Sequence, residues 1–79
     1  MITTLEKVKE GLPAVVKQVH GGHKIRQRLG GLCIHVDDNL KVLRTGFLGG
    51  PVLIEIHGTE VGIGHGMAEK IEVEVMEEG

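Results

Sequence analysis

Apolar and polar residues alternate most cleanly in Ile71-Glu72-Val73-Glu74-Val75, with Ile71, Val73 and Val75 on one side and the two glutamates on the other. A period of two marks a strand that buries one face. Val52, Ile54 and Ile56 repeat it against Leu53, Glu55 and His57, and Leu40 and Val42 repeat it against Lys41 and Leu43. Over residues 12–20, Ala14, Val16 and Gln18 fall on one face and Val15, Lys17 and Val19 on the other. A further strand is expected over residues 60–64, after a short Gly58-Thr59 turn.

The period changes once. Ile25, Leu29 and Leu32 stand at i, i+4 and i+7, which predicts a helix over residues 23–32 with one apolar stripe. Lys24, Arg26, Gln27 and Arg28 fill the rest of its surface, and Gly30-Gly31 marks its end. Thr3 and Thr4 are capping residues, and Leu5 and Val8 lie three apart, so residues 3–11 read as a single helical turn stopped at Gly11. Gly21-Gly22, Asp37-Asp38-Asn39 and residues 46–50 supply turns. Residues 65–69 read as a brief irregular or helical turn. The expected fold is mainly β with one short helix: five strands in a closed or nearly closed barrel, which hides strand edges.

Seventy-nine residues hold one small domain, residues 1–79. With one Phe and no Tyr or Trp, the core must be built from Val, Ile and Leu. The thirteen glycines are scattered between apolar runs, so they mark turns and not a linker. A net charge of -2 gives no reason to expect nucleic acid, and the missing aromatics remove the stacking platforms of single-strand binders. One cysteine makes no internal disulfide, which suits a reducing compartment. No apolar run approaches the ~20 residues of a membrane span, and no signal peptide is visible. The expectation is a cytoplasmic domain without membrane insertion.

Several segments together are more specific than any one of them. A Val-rich strand and a Gly-Gly step lead to a helix containing Ile25-x-x-Arg28-Leu29, then to the strand Leu40-Lys41-Val42-Leu43-Arg44. The loop Phe47-Leu48-Gly49-Gly50-Pro51-Val52 follows, then the hairpin Glu55-Ile56-His57-Gly58-Thr59 and the closing Ala68-Glu69-Lys70-Ile71-x-Val73. In this order and spacing the chain resembles the FeoA family over roughly residues 3–75. The resemblance implies a small SH3-like five-stranded β-barrel. It also implies a non-enzymatic cytosolic accessory protein of ferrous iron uptake, which binds and modulates the FeoB-type membrane transporter through its cytosolic region. Family members often carry glycine after the helix's closing Leu and in the turn before the middle strand. Here those places hold Cys33 and Asp37.

For partner binding the candidates are Lys24, Arg26 and Arg28, a small basic helix face, and Phe47 and Leu48 at a loop tip. Self-association stays open. For a divalent metal, Fe2+ or Zn2+, the candidates are His20 and His23 around Gly-Gly and Cys33-Ile34-His35, because imidazole and thiolate suit such ions. They support an alternative function, a metal-binding chaperone or sensor. The bland reading leaves His20 and His23 at a surface turn and Cys33 buried as a small hydrophobe. Gly62-Ile63-Gly64 lacks the Gly-Lys-Ser/Thr ending of a phosphate loop. The chain contains no Ser, and its Cys has no identifiable base, so no enzyme is expected.

Overall fold

The structure is a computed structural model that describes residues 1–76 and, at Phe47, the backbone only. It contains strands β1 (Ile2–Thr4), β2 (Pro13–Val19), β3 (Asn39–Arg44), β4 (Val52–Ile56), β5 (Thr59–Ile63) and β6 (Ile71–Val75), with helices α1 (His23–Gly31) and α2 (His65–Ala68). The strands form one antiparallel sheet in the order β1-β6-β2-β3-β4-β5. This is the expected SH3-like architecture with two differences. There are six strands and not five, and the ladder does not close, because β1 and β5 are its two edges.

The added strand, β1, occupies the start of the segment expected to be helical. It pairs with β6, Ile2 opposite Glu74 and Thr4 opposite Glu72. The helical turn is shorter, a 3₁₀ turn over Leu5–Lys7. Three residues per turn put Leu5 and Val8 on the same side, and both are buried.

Residues of β4 and β6 bury the faces that their alternation predicts. β2 departs from simple alternation. Val16 sits opposite Val73, yet Gln18 sits opposite Glu72, so Lys17 is an extra residue in the ladder. That bulge lets Val16 and Val19, three apart, both reach the core. A matching bulge in β3 places Val42 opposite Ile54 and Arg44 opposite Leu53, leaving Leu43 as the added residue. The buried core is aliphatic throughout, and among the described residues it contains no polar side chain.

Helix α1 ends in a Schellman motif. The Ile34 N–H donates to the Leu29 carbonyl at 2.9 Å, and the Cys33 N–H donates to the Gly30 carbonyl at 3.0 Å. The motif requires a left-handed residue at Cys33, whose φ is 60°. Asp37, the second non-glycine at a family glycine position, has φ 75°. Cys33 is exposed, which corrects the reading of it as a buried hydrophobe. A left-handed β-carbon costs roughly 1–2 kcal/mol. Cys33→Gly is therefore expected to raise stability by about 1 kcal/mol, or roughly 4–8 °C in Tm for a domain of this size. Thermal unfolding under reducing conditions checks this.

Candidate functional site

The two partner-binding candidates lie at opposite ends of the sheet. Helix α1 joins the end of β2 to the start of β3, and the 45–51 loop leaves the other end of β3. Six residues of strand separate them, about 20 Å at ~3.3 Å per residue. Lys24, Arg26 and Arg28 are all exposed on α1. Among the described residues none of the three has a carboxylate partner within salt-bridge distance.

The loop at the far end is held at its base and turned sharply. The Thr45 N–H donates to Glu10 Oε1 at 3.1 Å, and the Thr45 hydroxyl donates to the same oxygen at 3.4 Å. Gly46 packs so tightly on Gly50 that a β-carbon there would lie 1.8 Å from the Gly50 carbonyl oxygen. Leu48 is left-handed (φ 53°, ψ 45°) and 89% exposed. An apolar side chain displayed from a strained backbone is a feature that folding alone does not favour. The Phe47 side chain, the other candidate here, lies outside the described residues.

Beside α1 the structure brings together groups that are distant in sequence. The β4–β5 turn is His57-Gly58, with both residues at positive φ (53° and 75°), as a two-residue type I′ hairpin requires. This turn carries the His57 ring to the loop after α1. His57 Nε2 lies 3.1 Å from the Cys33 carbonyl oxygen and 3.5 Å from Asp38 Oδ2. A carbonyl only accepts, so Nε2 carries the proton in this contact. Asp38 also accepts the His35 N–H at 2.8 Å, and the His35 ring nitrogen Nδ1 lies 3.6 Å away. Sequence reasoning missed Asp38 as an organising group. Its position in an Asp-Asp-Asn turn signals a backbone-bonding carboxylate, but not that a distant hairpin supplies a histidine to it.

The His35 N–H bond is the largest influence and holds the Asp38 carboxyl below its ordinary 3.8; burial, the next largest, opposes it, and the contacts of His57 and His35 add to the lowering. A carboxylate lowered in the folded state stabilises the fold above its ordinary value. That contribution disappears as the pH falls through the lower, folded-state value. Asp38→Asn keeps an acceptor for the His35 N–H but removes the titration. The stability difference between the two proteins is expected to shrink below pH 3.8, measurable by urea unfolding across an acid series.

The metal candidates have separate neighbours. His20 Nε2 pairs with Glu72 at 3.0 Å, across the β2–β6 ladder. His23 is exposed at the first residue of α1, and Cys33 and His35 lie beyond its other end. His65 pairs with Glu69 at 3.2 Å. Among the described residues no three His, Cys, Asp or Glu side chains form a group that could hold a metal ion. No described helix is long and apolar enough to cross a membrane.

One concave surface was not legible in the sequence. A groove of about 380 Å³ opens beside α1, floored by the buried Val19, Leu29 and Ile34 and walled by the exposed Val36, with Gln18, Arg26 and His35 at its rim. Only the bulge at Lys17 brings Val19 round to this position.

Known proteins share both the sequence and the fold. A protein of Methanocaldococcus jannaschii, provisionally named Fe(2+) transport protein A, is 41% identical over 71 residues, covering 90% of this chain and 84% of its own length. The crystal structure of an iron uptake regulatory protein, FeoA, superposes with a TM-score of 0.86 at 28% identity, over 96% of this chain and 99% of that one. A manganese-dependent transcriptional repressor in complex with manganese contains the same fold, with a TM-score of 0.88 at 21% identity, over 95% of this chain and 37% of the repressor. Residues 3–75 match the FeoA domain, and the chain belongs to that family.

Proposed function

We propose that this chain is a non-catalytic accessory module of ferrous iron uptake, working in the cytoplasm by docking onto the cytosolic region of a FeoB-type membrane transporter. The iron-transport and iron-uptake names of its relatives support the pathway. The observation that carries the docking itself is Leu48, 89% exposed on a left-handed backbone. The loop around it is preformed by the Gly46–Gly50 contact and the Glu10 anchor. A preformed loop spends little conformational entropy on binding, so an apolar tip becomes an effective anchor.

Leu48→Gly separates folding from docking. It relieves the left-handed strain, so thermal stability is expected to hold or rise. It also removes the anchor, so affinity for the transporter's cytosolic region is expected to fall about thirtyfold or more, since hot-spot side chains contribute ~2 kcal/mol or more. A thermal melt reads the first, and titration of the isotope-labelled chain at micromolar to millimolar partner concentration reads the second. The reading is lost if the wild-type chain shows no association over that range, or if Leu48→Gly binds as well as the wild type.

A further inference from the structure

We propose that the groove beside α1 receives an apolar side chain carried on an acidic segment of a protein partner. The proposal rests on the docking reading and deepens it. It adds a second contact, at the end of the sheet opposite Leu48.

The groove's floor is apolar, and its volume of about 380 Å³ admits a few side chains, not a folded element. Val36, on its wall, is 51% exposed, and nearby Leu32 at the end of α1 is 39% exposed. Large aliphatics left open around a concavity mark a contact surface. The unpaired charge on α1 beside this floor is positive: among the described residues Lys24, Arg26 and Arg28 have no carboxylate partner, while the nearby carboxylates Asp38 and Glu72 stand beside His35 and His20. Arg26 lines the groove directly. Its guanidinium is placed to pair with a carboxylate beside an inserted apolar group, and Lys24 and Arg28 extend the field that steers such a partner.

A second copy of this chain is a poorer occupant. Its most exposed large apolar residue among those described, Leu48, sits among Thr45, Gly46, Phe47, Gly49, Gly50 and Pro51, and the carboxylate at the base of that loop, Glu10, is already engaged by Thr45. An amphipathic segment with Leu or Ile on one face and Glu or Asp beside it satisfies both floor and rim.

The test uses the isotope-labelled full chain and an end-capped synthetic peptide of repeated Leu-Leu-Glu-Glu blocks. Its controls are a twin with Lys for Glu and a twin with Ser for Leu. The expected result is amide shifts confined to Val19, Leu29, Ile34, Val36 and their neighbours. Binding should weaken about tenfold with the Lys twin and with Arg26→Glu, decline with added salt, and vanish with Val36→Asp or the Ser twin. Arg26 and Val36 are exposed, so an unchanged amide spectrum elsewhere verifies folding of these variants. The proposal is overturned by absent shifts, by equal binding of the Lys twin, by shifts centred on residues 46–50, or by self-association through the groove that the peptide does not displace. A parallel titration with the transporter's cytosolic region separates the two ideas. Groove binding of the peptide without any transporter binding overturns the docking reading. Transporter binding with a silent groove overturns this proposal alone.

Discussion

Gly46→Ala is expected to destabilise the protein by about 3 kcal/mol, the upper part of the range for forcing an extra carbon into packed structure. The added carbon would lie 1.8 Å from the Gly50 carbonyl oxygen, 2.1 Å from its carbon and 2.8 Å from its Cα. All three are backbone atoms, so no rotamer change relieves the clash. The loop must open, and it is fixed at Thr45 by Glu10. For a chain of 79 residues, at ~0.05–0.15 kcal/mol per residue, total stability is roughly 4–12 kcal/mol. A loss of this size is therefore visible as a large fall in Tm. Neighbouring glycines provide the contrast. At Gly49 a β-carbon meets nothing within 4 Å, so Gly49→Ala carries only the left-handed penalty at φ 80°. At Gly62 there is neither contact nor positive φ, so the added carbon has no steric cost. Urea unfolding of the three variants orders them Gly46, Gly49, Gly62. Gly46→Ala should also abolish the docking proposed for Leu48, because the loop that presents it no longer closes.

Leu29→Ala is expected to remove about 2–5 kcal/mol, the range for emptying a buried Leu site. Leu29 is 1% exposed and sits at the last turn of α1. Its carbonyl accepts the Ile34 and Leu32 N–H groups that end the helix. Its side chain and that of Ile34 floor the same groove. One truncation thus opens a cavity, loosens the hydrophobic contact that accompanies a Schellman motif and unseats the helix from the sheet. Leu32→Ala, three residues on, is expected to change stability by less than about 0.5 kcal/mol, as a surface substitution does. Leu32 is 39% exposed. The pair is a sharp test because the apolar spacing of the helix treats Leu29 and Leu32 alike. Equal effects would show that the helix packs on the sheet through a different face.

How much of this was legible depended on how local each feature is. The β4 and β6 faces followed from alternation alone, since a strand with one wet side has no other way to place five residues. Helix α1 followed from one stripe and a Gly-Gly end. Cys33 and Asp37 stood out as departures from a family pattern of glycine, and both proved left-handed. Strand β1 was not legible. Three residues are too few for a period, and what makes them a strand is the free edge of β6, at the other end of the chain. The bulges were not legible either. Lys17 and Leu43 are extra only when counted against a partner strand.

The candidate docking residues divide in the same way. Sequence picked out the basic helix and the 46–50 loop as unusual segments, and the strand expected between them already held them apart at opposite ends of β3. What it could not show is the approach of His57 to Asp38 or the place of Val19 in the floor of a groove.

The sequence by itself determined the aliphatic core, the inward faces of β4 and β6, the helix and the turns, because each depends on interactions within a few residues. Only the tertiary structure decided the sixth strand, the bulged registers, the open edges and the groove beside α1. These are relations between segments far apart in the chain, and a local period holds no record of them.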